Sequence, residues 1–219
     1  MGRSDQRKPR KADRKQVEKT EKKESKKVLK KPKLKKRVER LLANKAPKDV
    51  ENSKNMLLIK GHATNQVVGK VLHDMNLLTK PNNKLMSRKN EILPFEDATN
   101  LEFLLEKNDC SLFAFVNHTK KRPNNLIIGR TYDSHILDMV ELGVDKFTSL
   151  MEMPGTAKAV GAKPVMVFQG DTWNSDPKFG QLENLLLDMF RGQKISNLSL
   201  RGIDHIISCS AVDDKIYIR

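Results

Sequence analysis

An α/β body preceded by a cationic arm is the fold class this sequence predicts, and three observations predict it. Short apolar runs recur, at Met56-Leu57-Leu58-Ile59, Leu112-Phe113-Ala114-Phe115-Val116, Leu126-Ile127-Ile128 and Val165-Met166-Val167-Phe168. Their length and their β-branched and aromatic content suit strands covered on both faces. Segments with helical spacing lie between them. Charge is also segregated: residues 1–48 carry 21 Lys or Arg against 6 Asp or Glu, which accounts for the whole formal net charge of +15, while residues 49–219 carry 21 of each sign. Such an arm points to an anionic polymer or membrane surface as its partner. A neutral body binds nucleic acid through local patches, not through its overall field.

The arm comes first. Residues 1–27 are almost free of large apolar groups and are expected to be disordered when unbound. Their Lys-rich character suits a nuclear or nucleolar address. Residues 1–48 hold no apolar signal-peptide core, and Gln6 breaks the myristoylation pattern that Met1-Gly2 would begin. No run approaches the roughly 18 apolar residues of a membrane span. Leu34, Val38, Leu41 and Leu42 form one stripe, opposite Lys33, Lys35, Lys36, Arg37 and Arg40. With Pro32 in the first turn, this predicts a short basic amphipathic helix near residues 32–43. It could dock on a partner groove, on RNA, on its own body or on a membrane surface.

The body, residues 49–219, begins with the Met56–Ile59 strand, closed by Lys60-Gly61. Thr64 is the expected N-cap of a helix whose Val67, Val68, Val71, Leu72 and Met75 share one face. Asn76 to Lys89 is read as a loop broken at Pro81-Asn82-Asn83, with cations at Lys84, Arg88 and Lys89. Thr99 with Glu102 matches a capping box opening a helix with Leu101, Leu104 and Leu105. Next come a buried strand, a basic turn at Lys120-Lys121-Arg122-Pro123-Asn124-Asn125, and a returning strand ending in Gly129-Arg130. Tyr132 to Val144 mixes both periods and is read as strand leading to helix. Met153-Pro154-Gly155 is a linker candidate. Asp176-Pro177 opens a helix with Leu182, Leu185, Leu186, Met189 and Phe190 on one stripe, stopped by Gly192. Two strands, Ile203–Val212 and Lys215–Ile218, close the chain around Asp213-Asp214. The order strand, helix, strand pair thus occurs twice, which suggests two similar α/β halves.

No catalytic constellation emerges. There is no Walker loop, dinucleotide fingerprint or nucleophile elbow. His62, His73, His118, His135 and His205 are scattered without zinc-ligand spacing. Cys110 and Cys209 read as reduced core thiols, with a disulfide between them as the alternative. Glu96-Asp97 and Asp171 with Asp176 are acidic pairs better suited to helix starts than to a metal, so no metal or cofactor is expected. Trp173, in a polar loop, is either an interface anchor or a ring folded onto the core.

Anion binding is better supported. Lys60, His62 and Thr64 lead into a helix N-terminus, where free N–H groups favour phosphate. Arg88 and Lys89 form a second group. Lys120, Lys121, Arg122 and Arg130 form a third, on the basic turn and its flanks, with Asn124 in the turn and His118 at its start, where it either stacks on a base or caps the turn. A solvated turn between core strands is the competing reading. Few aromatic residues are expected on the surface, so recognition of duplex or backbone shape is favoured over base stacking.

Several segments also resemble a known family. Leu93-Pro94-Phe95-Glu96-Asp97, Leu101-Glu102-Phe103, Lys107-Asn108-Asp109-Cys110-Ser111-Leu112-Phe113, and above all Lys120-Lys121-Arg122-Pro123-Asn124-Asn125-Leu126 with Gly129-Arg130, are similar to the Brix-domain proteins. Leu137-Asp138-Met139 and Glu141-Leu142-Gly143-Val144 narrow the match among paralogues. The resemblance covers roughly residues 52–219. It implies two halves, about 52–150 and 156–219, each like the anticodon-binding domain of class II synthetases. It further implies a non-enzymatic assembly factor of the large ribosomal subunit, acting in the nucleolus. Its implied partners are pre-rRNA, the regulator of ribosome synthesis protein, and the 5S ribonucleoprotein (5S rRNA with ribosomal proteins of the uL18 and uL5 types), which it helps recruit to the pre-60S particle. A permanent ribosomal protein and an RNA-acting enzyme are the alternatives. Family members continue past the position of Arg219 with further sheet and a charged tail, so the C-terminal end is expected to be truncated.

Overall fold

In the computed structural model, residues 35–47, 49, 52–155, 159–192, 197, 199 and 202–219 are described. The chain divides into two units, 1–51 and 52–219. Within the first, α1 (Lys36–Lys45) is the amphipathic helix, with Val38 and Leu42 exposed. It starts four residues later than the expected Pro32 opening. Pro32 and Leu34 lie outside the described residues, as does most of the arm.

The second unit is built on two strands with almost no polar side chain, β1 (Met56–Gly61) and β3 (Leu112–Asn117). They pair in parallel, Met56 beside Leu112 and Lys60 beside Val116. β4 (Asn125–Tyr132) returns antiparallel to β3, and β5 (His135–Gly143) antiparallel to β4. β2 (Asn83–Asn90) lies parallel to β1, giving the order β2-β1-β3-β4-β5.

Alternation sorts the side chains of this sheet into two cores. Leu57, Ile59, Phe113, Phe115 and Ile127 face α3 (Thr99–Asn108) through Leu101 and Leu105. Met56, Leu58, Leu112, Ala114, Val116 and Ile128 share the other core with Val68 and Leu72 of α2 (Gln66–Thr79) and Leu182, Leu185 and Met189 of α5 (Pro177–Arg191). That core extends to Ile207, Cys209 and Ala211 of a second sheet, ordered β6 (Val165–Gln169), β7 (Ile206–Val212) and β8 (Lys215–Ile218). Each fully buried Leu or Phe contributes about 1.5–3 kcal/mol, so the doubly covered strands hold most of the cohesion.

Trp173, on the short helix α4 (Thr172–Ser175), takes the core alternative. It is 4% exposed, sits edge-on to Phe168 and Phe179, and donates its indole N–H to the Gln169 carbonyl. Both cysteines are free and buried, and burial pushes the Cys209 thiol up to about 11. Asp176 caps α5 through the Lys178 N–H, and Gly192 ends it at φ 56°. Asp74 of α2 is buried because it accepts from the Leu150 N–H and the Ser149 hydroxyl, pinning the 3-10 turn Leu150–Glu152.

Four local expectations are corrected. The α2 cap is Asn65, not Thr64: its carboxamide oxygen accepts from the Val68 N–H. Residues 76–89 are not a loop, because α2 runs to Thr79 and β2 occupies the sheet edge. Exposed on most of its length, β2 lacks the apolar alternation that marks a half-buried strand. Glu102 closes no capping box; it accepts from the Ile136 N–H, and Asp97 accepts from the Thr99 N–H instead. Residues 132–144 contain no helix: Asp133 and Ser134, both at positive φ, form a two-residue turn into β5.

Gly129 is where packing leaves no room for a side chain. A Cβ there would lie 2.6 Å from the Phe113 ring and 2.7 Å from the Asp138 carbonyl oxygen. Gly129→Val should therefore destabilise the body by about 3 kcal/mol through overpacking, read as a lower urea midpoint. A midpoint equal to the parent's would contradict this packing.

Candidate RNA interface

Parallel strands discharge their loops at the same end, and here that end is cationic. β2, β1 and β3 all finish there, so Arg88 and Lys89, then Lys60 and His62, then the β3–β4 turn come together. In open α/β sheets, ligands favour the carboxyl ends of strands. Lys60 pairs in register with Lys89. Neighbouring strands lie about 4.8 Å apart, so two like charges on the same side repel unless an anion lies between them. Arg88, Lys89, Lys120 and Lys121 are exposed, and none has an ion pair among the described residues.

The turn and the start of α2 are joined by a small polar knot. The Val68 N–H fixes the Asn65 carboxamide so that its NH2 donates to the Asn124 side-chain oxygen at 2.6 Å. Asn124 is oriented in turn by donating its NH2 to the Val144 carbonyl. Its backbone N–H donates to Nδ1 of His118 at 3.1 Å, so that nitrogen serves the turn as an acceptor. The His118 N–H donates to the Ala63 carbonyl. Asn124 adopts φ 46°, a left-handed conformation that asparagine tolerates better than most residues. His118 and Asn124 therefore shape the turn, while the lysines project from it.

The predicted residues divide accordingly. Lys60, His62, Arg88, Lys89, Lys120 and Lys121 gather at one end, with half-buried Thr64 between His62 and the cap. Arg122 is partly committed: it pairs with Glu141 at 3.0 Å, and Glu141 also accepts from the Asn125 side chain. Its guanidinium sits over the Phe95 ring. Arg130 departs from the expectation of a phosphate-facing cation. Two of its nitrogens grip both oxygens of Asp138, at 2.8 and 2.7 Å, and the third reaches Asp188 at 2.9 Å. Lys54 completes this clamp on Asp188 at 2.8 Å, tying β4, β5 and α5 together.

Sequence reasoning missed Asn65, Phe95 and Glu141. A polar residue directly ahead of the Val67-Val68 stripe was the available signal for Asn65. An aromatic ring inside a Pro-bearing turn was the signal for Phe95. Among the described residues there is no group of three metal-ligating side chains and no helix long and apolar enough to cross a membrane.

Comparison with known proteins gives a consistent result. The Brix domain model matches residues 61–219. The chain is similar to the ribosome production factor 2 homolog of Mus musculus, with 49% identity over 84% of this chain and 60% of that protein. It is 47% identical to the Homo sapiens homolog over the same shares. The ribosome biogenesis protein RPF2 of Saccharomyces cerevisiae is 40% identical over 81% of this chain and 52% of that one. The chain thus spans about 60% of the length of the first of these relatives. Among solved structures, a probable ribosomal biogenesis protein from Aeropyrum pernix K1 shares the fold, with a TM-score of 0.50 at 10% identity over 76% of this chain and 88% of that one.

The clamp carries a pH signature. Burial pushes the Asp188 carboxyl up, but hydrogen bonds and charges from Lys54 and Arg130 outweigh it and hold the group below its ordinary 3.8. A depressed native value stabilises the fold above the unfolded pKa, and that contribution fades as pH falls through the native one. Asp188→Asn should cost about 2 kcal/mol at pH 7, with the gap to the parent closing toward pH 3, read by urea unfolding. A constant gap across that range would contradict the clamp.

Proposed function

The chain belongs to the Brix-domain family, and from that premise we propose that it is a non-enzymatic assembly factor of the large ribosomal subunit. In this reading it binds rRNA and helps bring the 5S ribonucleoprotein to the pre-60S particle in the nucleolus. Its partners there are 5S rRNA, pre-rRNA, the regulator of ribosome synthesis protein and ribosomal proteins of the uL18 and uL5 types. The likeness to ribosome production factors from animals and yeast supports the role in ribosome production.

One observation carries the RNA-binding part. Lys60, Lys89, Lys120 and Lys121, from three separate segments, gather at one end of the sheet beside the N-terminus of α2. A protein without a phosphate ligand gains nothing from bringing these charges together, because they repel. A polyanion converts that repulsion into binding through counterion release. The helix N-terminus adds unpaired N–H groups suited to a phosphate oxygen. The cationic arm would add sequence-independent attraction.

Changing Lys120, Lys121 and Arg122 together to Ala should weaken 5S rRNA binding about tenfold in moderate salt, with the melting temperature kept. Because Arg122 already has Glu141 as partner, the slope of log affinity against log salt should drop by about two, not three. Unchanged affinity would reject this face as the interface.

A further inference from the structure

Phe95 and Arg122 form a surface feature that phosphate binding leaves unused. Phe95 is 47% exposed, although its turn is held firmly: Leu93 bridges to Asp97, and the Glu96 and Asp97 N–H groups donate to the Leu93 carbonyl. A rigid turn that presents an aromatic ring to solvent costs hydration without any core packing in return. The Arg122 guanidinium lies over that ring, 5.8 Å from its centroid. Its side chain is 55% exposed, and Glu141 pins it at 3.0 Å.

The carboxylate removes much of the arginine's attraction for phosphate and still leaves more than half of its side chain exposed. The Thr119 N–H donates to the Arg122 carbonyl and the Arg122 N–H to the Thr119 hydroxyl, which fixes the turn, so Lys120 and Lys121 project from the same short loop that positions the guanidinium. Arg122 also lines an open recess of about 370 Å³ with Pro123, Asn125, Glu141 and Val144, which leaves room for a planar ring beside it. Cationic side chains next to an aromatic face are how single-stranded nucleic acid is held: cations on the backbone, rings on the bases.

We propose that Phe95 and Arg122 form a stacking platform for an unpaired nucleobase, beside the lysines that hold its phosphate. The ligand class is thus RNA with a splayed or single-stranded nucleotide, not a uniform duplex. This inference rests on the RNA-binding reading above and narrows its substrate.

The test titrates the full chain with a short single-stranded RNA carrying 2-aminopurine and, separately, with a fully paired hairpin. Phe95→Leu keeps an apolar side chain and removes the π face. It should lose about tenfold in affinity for the single strand, and the quenching of 2-aminopurine, while hairpin affinity stays as in the parent. Phe95→Trp should retain both single-strand affinity and quenching. If Phe95→Leu binds and quenches the single strand as the parent does, the platform is overturned. If Lys120→Ala with Lys121→Ala weakens both RNAs in that same assay, the RNA-binding reading stands without it. Equal loss on both RNAs by Phe95→Leu, with its melting temperature preserved, also overturns the platform, because the ring would then act only through the loop. A parent that binds neither RNA overturns the platform and the reading beneath it.

Discussion

Two runs with no polar side chain, Met56–Ile59 and Leu112–Val116, constrain everything else in the body. Neither can show a face to water, so both must be interior strands with helices or a second sheet on each side. Laid side by side in parallel, they end together, and the loops leaving them must emerge at the same place. The cationic end of the molecule is a consequence of burial. The core decides where Lys60 and the 118–124 turn come out, and Lys89 joins them because β2 adds in parallel to β1.

Burial brings the loops near one another, and a few hydrogen bonds then set their shape. Asn65 serves twice, capping α2 with its oxygen and holding Asn124 with its NH2. That arrangement frees the lysines of structural duty. Cations that do have structural duty lie elsewhere: Arg130 and Lys54 spend their charge on Asp138 and Asp188. Arg122 stands between the two kinds, charge-paired with Glu141 yet more than half exposed.

How much the sequence disclosed depended on how local each cause was. The β1, β3 and β4 strands and the Asp176-capped helix were readable because run length, bias and caps sit within a few residues. β2 was not, since an edge strand exposed on most of its length has no pattern that separates it from a loop. β5 mixed two periods for a concrete reason. Its register skips Leu137, which stays exposed, so Ile136 and Met139 reach the same core three residues apart. Arg130 looked like a phosphate ligand because its partners lie 8 and 58 residues away in sequence. The gathering of the cationic clusters was likewise beyond the sequence, because parallel pairing produces it.

In the RNA-binding reading, the carboxyl end of the parallel strands faces RNA. Residue-resolved RNA–protein crosslinking of the full chain bound to 5S rRNA tests it most directly. Crosslinks are expected at Lys60, Lys89, Lys120 and Lys121. Crosslinks confined to residues 1–48, or to the three-stranded sheet, would contradict it.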